Sequence, residues 1–220
     1  RRDALQDAII SLKQEDTRFL SPLFGRLNLN SISVGGFSKG GGGAQLLAKI
    51  DSSLKAVISL YPFIENPVAL DFIHNVPTLI VSGQLDIIAL PSLHADLHYD
   101  FIPSSTSKLK FEVALGSHDA LLGPSGANGE AGERVLSWLA YFMLNDNCYC
   151  PLITTLPVFS SQYIFNINCN SLFSNNIPNA NESNIESIFD LFGRKTYFKS
   201  NQLLFYKYSD GNVSKKIVLE

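Results

Sequence analysis

Apolar and polar residues alternate through Leu29-Asn30-Ser31-Ile32-Ser33-Val34-Gly35, and a second glycine, Gly36, follows. That pattern predicts a buried strand entering a tight turn. Ala44-Gln45-Leu46-Leu47-Ala48-Lys49 comes next as a helix whose small residues permit close packing on a sheet. The same grammar repeats downstream. Leu54–Leu60 and Val76–Gly83 are short apolar runs suited to buried parallel strands, Ser92–Phe101 reads as a helix, and Lys108–Ala114 alternates as a strand. Glu130–Met143 sets Val135, Leu136, Leu139, Phe142 and Met143 on one helical face, and residues 1–10 form an amphipathic helix. Strands alternating with helices over residues 1–146 imply an α/β domain with a mainly parallel sheet covered on both faces.

From Asn147 onward the pattern changes. Helix formers thin out, and short alternating stretches such as Gln162–Ile167 and Gln202–Tyr208 stand between turn residues. Asp210-Gly211, between two such runs, is a hairpin signal. Residues 147–220 therefore read as a second, all-β domain, short enough for a small sandwich, with the Asn-rich stretch Asn175–Asn184 as a loop or linker. Asn181-Glu182-Ser183 and Asn212-Val213-Ser214 match glycosylation acceptors, a pattern too frequent to carry weight.

Composition narrows the class. At 220 residues the chain holds one domain or two small ones, and 45% hydrophobic residues supply ample core material. A formal net charge of -3 argues against nucleic acid or an anionic membrane as partner. No apolar run reaches the length of a membrane span. The chain opens on Arg1-Arg2 without an initiating methionine and is expected to be a piece of a longer protein. Cys148, Cys150 and Cys169 have poor spacing for zinc and no histidine nearby. A single disulfide, Cys150 to Cys169, fits an exported protein; three reduced cysteines fit the spacing equally well.

Between the first strand and its helix lies Gly36-Phe37-Ser38-Lys39-Gly40, continued by Gly41, Gly42 and Gly43. A G-x-S-x-G sequence in strand–turn–helix context is the mark of a nucleophile elbow, whose strained turn pushes the serine oxygen into the open. Flanking glycines avoid collision with neighbouring backbone, and the following helix aims its N-terminal N–H groups at the point where an oxyanion would form. A phosphate-binding loop fails for want of Gly-Lys-Ser/Thr at the required spacing; a glycine-rich turn is the remaining alternative. A serine hydroxyl needs a base, and the base an orienting carboxylate. Asp86 follows the strand ending at Gly83, and His118 follows the next strand, so the order is Ser, Asp, His and all three fall at one sheet edge. His74 reads as part of a surface turn. His94 and His98, four apart on a helix, lack the Glu of a zincin motif and read as a helix face, so no metal site is expected. Asp71, Asp96, Asp100 and Asp119 do not follow a strand at the right place.

Six separated motifs then occur in order: Gly36–Gly43, Ser53–Ala56, Val76–Ile80, Leu85–Ala89, Pro103–Thr106 and Gly116-Ser117-His118. Together they resemble bacterial cutinases and poly(ethylene terephthalate) hydrolases, polyester-cleaving enzymes of the dienelactone-hydrolase-like branch of the α/β-hydrolases, over most of residues 3–146. The resemblance implies the three-layer α/β-hydrolase sandwich, here the C-terminal portion of its sheet, and no cofactor. It implies Ser38 as nucleophile, His118 as base, Asp86 as acid, and the backbone N–H of Lys39 as one oxyanion donor. Phe63 stands where that family usually has a tryptophan on the substrate ring, and Ile88 where an aliphatic residue lines the cleft. Lys39 replaces a usual methionine and Leu90 a usual proline. About four more strands and the loop with the second oxyanion donor are expected upstream, so activity is expected only within the longer natural protein.

Ile188–Lys195 and the closing Asp210–Val218 look like the C-terminal sorting domain of the type IX secretion system, a small β-sandwich read by the exporter. An accessory or carbohydrate-binding β-domain is the alternative. The expectation is thus a secreted or cell-surface, monomeric serine esterase acting on polymeric or lipidic esters, with the type IX machinery as partner. A small-molecule esterase or lipase and a non-catalytic fragment or surface-binding protein are the rivals.

Overall fold

The computed structural model describes residues 1–119, 126–167, 169, 185–189, 194–198, 203–209 and 213–217. The chain divides into two compact units, Arg1–Leu172 and Phe173–Glu220.

In the first unit the order is α1 (Arg2–Thr17), β1 (Ser33–Phe37), α2 (Lys39–Ile50), β2 (Ala56–Leu60), β3 (Thr78–Gly83), α3 (Ala95–Phe101), β4 (Lys108–Val113), α4 (Glu130–Leu144), α5 (Cys150–Thr154) and β5 (Ser160–Phe165). The strands lie side by side in chain order; β1 to β4 are parallel, and β5 runs antiparallel to β4. Successive strand side chains point to opposite faces, and the core divides accordingly. Val34 and Val57 join Ile9 of α1 with Ala44, Leu47 and Ala48 of α2. Ile80 joins Phe72 with Ala95, Tyr99 and Ile102 around α3. Leu79, Val81, Leu109, Phe111 and Val113 face the other way, onto Trp138 of α4 and Ile153 of α5. The result is a mixed, parallel-rich sheet with helices on both sides, which fits an α/β-hydrolase.

Several sequence expectations need correction. Residues 147–169 do not open a second, all-β domain. Asn147–Tyr149 is a 3-10 turn, α5 is helical, and β5 completes the first sheet. The segment is held there by the Cys150–Cys169 disulfide and by Arg134, which donates to the Tyr163 hydroxyl at 3.1 Å and the Thr155 carbonyl at 3.0 Å. β5 also covers the otherwise open edge of β4. Cys148, outside the bridge, is exposed.

His74 is not on a surface turn but buried, with Nε2 3.1 Å from Oε1 of the fully buried Gln45, while its Nδ1 accepts from the Val76 N–H. Burial pushes its pKa down to about 4. The helix expected over 92–101 breaks at His94 into a 3-10 turn (Pro91–Leu93) and α3. In α4 the anchor is Trp138, fully buried, whereas Leu136 points outward at 67% exposure.

In the second unit β6 (Ile185–Phe189), β7 (Lys195–Thr196), β8 (Leu203–Tyr208) and β9 (Val213–Ile217) form an antiparallel sheet in the order β7-β6-β8-β9. Leu204 and Tyr206 are buried on alternate positions, and the Tyr208 hydroxyl pairs with Ser214 at 2.9 Å. The described residues of this unit contain one four-stranded sheet. Asp210-Gly211, the 175–184 stretch and both glycosylation matches at Asn181 and Asn212 lie outside the described residues.

Candidate active site

The carboxyl edge of the sheet collects three loops. β1 ends at Phe37, and Ser38 turns the chain into α2 with φ 53° and ψ -121°, a conformation that side chains rarely adopt. The turn is pinned on both sides. Ser38 N–H donates to the Leu60 carbonyl at 2.8 Å, and the Ser38 carbonyl accepts from Gly42 at 3.1 Å and Phe63 at 3.0 Å. The glycine requirement is specific: a Cβ on Gly36 would lie 2.4 Å from the Gly40 carbonyl carbon, and one on Gly42 would lie 2.3 Å from the Phe63 oxygen. Gly40, the second glycine of the motif, has nothing within 4 Å of such an atom. The bond from Gly42 to Ser38 is the first of the helix, so the Lys39 N–H belongs to the donors that no helical carbonyl can satisfy.

β3 delivers Asp86. Its carboxylate is buried at 1% exposure, and Oδ1 accepts the backbone N–H groups of Ile88 and Ala89, each at 2.8 Å. Oδ2 lies 2.7 Å from His118 Nδ1. β4 delivers His118, buried at 8% exposure, with Nε2 3.1 Å from Ser38 Oγ. The last two loops are laced together: Leu85 N–H donates to the Gly116 carbonyl at 2.8 Å, and Leu115 N–H to Gln84 Oε1 at 2.9 Å. The structure therefore sets Ser38, His118 and Asp86 in one hydrogen-bonded line. With Nδ1 donating to the carboxylate, Nε2 is left as acceptor for the serine hydroxyl.

The other residues singled out in the sequence fall around this line. Phe63 is half-buried and stacks on His94 with centroids 4.6 Å apart; Ile88 is 57% exposed beside Asp86. Lys39 places Nζ 2.6 Å from Glu65 and 5.7 Å from the Phe63 ring centroid, so the cation at the rim is ion-paired. His98 is fully buried against Phe72 at 4.1 Å, and burial holds its pKa down to about 3. Among the described residues no three His, Cys, Asp or Glu side chains gather as metal ligands. Asp71 pairs with Lys49 and Asp96 with Lys110, while Asp100 and Asp119 are exposed.

Two residues at the site escaped sequence reasoning. Phe37 and Tyr61 both pack on the His118 ring, at 4.9 and 5.8 Å between centroids. The alternation of β1 hints at Phe37, but Tyr61 arrives through a φ of 47° that no local pattern announces.

Residues 1–169 match the family model described as PET hydrolase-like. The chain is 37% identical over 132 residues to Cutinase est1 of Thermobifida alba, covering 60% of this chain and 43% of that protein. It is 36% identical over 140 residues to Cutinase 1 of Thermobifida cellulosilytica, covering 64% and 52%. Bis(hydroxyethyl) terephthalate hydrolase of Streptomyces coelicolor is 32% identical over 137 residues, covering 62% and 43%. The chain spans about half the length of the curated relatives it matches.

Proposed function

Because the chain belongs to the PET hydrolase-like family, we propose that it carries the catalytic centre of a secreted serine carboxylic-ester hydrolase of the cutinase or polyester-hydrolase type. The observation that carries this reading is the line from Ser38 Oγ through His118 to Asp86, at 3.1 and 2.7 Å. Ser38 Oγ attacks the ester carbonyl carbon while His118 Nε2 takes its proton. The acyl–oxygen bond then breaks as His118 returns the proton to the departing alcohol, leaving an acyl-serine. Water repeats the sequence on the acyl-enzyme and releases the acid. Asp86 holds the imidazole tautomer and balances the imidazolium, and the Lys39 N–H donates to the developing oxyanion. Phe63 stacks on a substrate ring and Ile88 lines the cleft beside it.

A polymer or lipid substrate is supported by the surface around the line. Leu85, Ile87, Ile88 and Leu115 are 55%, 85%, 57% and 76% exposed, in the two loops that carry Asp86 and His118. Loops so apolar suit an insoluble ester better than a small hydrophilic one. Release of aromatic acid from polyester film, set against hydrolysis of tributyrin, tests this: film activity is expected, and tributyrin turnover alone would point to a small-molecule esterase or lipase without polymer activity.

The second unit, residues 173–220, is proposed as a type IX sorting module with a sandwich fold. An antiparallel sheet forming its own compact unit supports this, and the Cys150–Cys169 bridge fits an oxidising compartment. A periplasm-targeted reporter carrying residues 173–220 should reach the medium in a bacterium with that machinery; retention in the periplasm would refute it.

A further inference from the structure

Tyr61 is 1% exposed, immediately follows β2, and takes a φ of 47°, an outlying conformation for an aromatic residue. Its N–H donates to the Val81 carbonyl at 2.7 Å, which fixes the turn. Its hydroxyl has no hydrogen-bond partner among the described residues. Strain and an unpaired buried hydroxyl both count against the fold, so the placement calls for a compensating role.

That role is legible in what the ring touches. It stands nearly perpendicular to the His118 imidazole, at 87° with centroids 5.8 Å apart, and lies 5.9 Å from Phe37. Phe37 in turn lies 4.9 Å from the imidazole. The three rings contact one another in pairs, so the imidazole plane is braced by two aromatic neighbours. The loops leave room for this: a Cβ on Gly83 would meet Tyr61 Cε1 at 2.8 Å and the Gly116 oxygen at 2.5 Å. Gly83 ends the strand before Asp86, and Gly116 lies two residues before His118, so the phenol ring fills the space beneath both loops. Burial first, and the nearby Asp86 charge second, push the phenol pKa up, in keeping with this proximity.

We propose that Tyr61 is a positioning residue for His118: together with Phe37 it fixes the imidazole plane so that Nδ1 stays on Asp86 and Nε2 on Ser38. The inference rests on the reading of His118 as the general base. A hydrogen bond mis-set by a fraction of an ångström costs turnover far more than binding, because alignment is needed in the transition state.

The test uses the full-length protein with p-nitrophenyl butyrate, active-site concentration being set by fluorophosphonate titration. Tyr61→Phe keeps the ring and should hold kcat within about twofold. Tyr61→Leu keeps the site apolar but removes the aromatic brace and should lower kcat by about tenfold or more, with KM shifted less than twofold. The fluorophosphonate labelling rate should fall in parallel. A Tyr61→Leu protein that melts earlier but retains wild-type kcat per titrated site would overturn the inference and leave Tyr61 as packing alone. Ser38→Ala, run alongside, separates the two readings: activity surviving in it defeats the serine mechanism, whereas an inert Ser38→Ala beside an unimpaired Tyr61→Leu defeats only this inference.

Discussion

Asp86 Oδ2 lies 2.7 Å from His118 Nδ1, while Oδ1 of the same carboxylate is held by the N–H groups of Ile88 and Ala89. The carboxylate is thus fixed by its own loop before it meets the imidazole. Asp86→Asn preserves shape and the amide oxygen's bonds to Ile88 and Ala89. It offers the imidazole a donor where an acceptor stood, favouring the wrong tautomer. The expected outcome is a fall in kcat of roughly 10⁴, the size that such a change produces in the serine-protease triad, with the melting temperature changed little. Steady-state kinetics on p-nitrophenyl butyrate checks the first and calorimetry the second.

The glycines of the elbow should not behave alike. Gly42→Ala would drive a Cβ to 2.3 Å from the Phe63 oxygen, backbone that cannot swing aside. A loss of more than about 2 kcal/mol of stability, together with activity, is expected. Gly40→Ala meets open space inside a helix and should gain about 0.5–1 kcal/mol. Urea midpoints of the two variants measure the contrast.

Acid should destabilise the first unit through its buried histidines. His74 and His98 are held neutral in the fold, with pKa values of about 4 and about 3 against an ordinary 6.5. The unfolded chain takes up protons below pH 6.5 that the folded chain refuses, so stability is full above 6.5. It falls as pH drops from 6.5 toward each folded pKa, below which the loss is complete. The His74 contribution is on the order of 3 kcal/mol across that window. Urea melts at pH 7.5 and 4.5 should show a smaller pH effect in His98→Leu than in the parent; an unchanged difference would exclude the assignment.

The Cys150–Cys169 bridge closes a segment of 19 residues onto the sheet. Cys150→Ser with Cys169→Ser should cost about 3 kcal/mol, and a reducing agent should lower the melting temperature of the parent but not of the double variant.

How much of this was legible in the sequence differs from residue to residue. Asp86 and His118 could be picked out because each follows a strand whose apolar run is plain, and parallel strands deliver their ends to one edge. The membership of β5 could not. Tyr163 and Phe165 alternate like any half-buried strand, and whether such a strand closes one sheet or opens another depends on partners that composition does not name. His74 was misplaced because Asn75 and Pro77 around it speak for a turn, while the buried Gln45 that receives it lies 29 residues away. Tyr61 was invisible for a third reason: its contact with His118 follows from a positive φ, and tyrosine carries no preference for one.

If His118 activates Ser38, that serine alone should react with an organophosphorus electrophile. Incubating the full-length protein with a fluorophosphonate probe, followed by peptide mapping, tests it most directly. A single adduct on Ser38 is expected, together with loss of nearly all p-nitrophenyl butyrate hydrolysis and of labelling in Ser38→Ala. An adduct on another residue, or substantial hydrolysis surviving in Ser38→Ala, would contradict it.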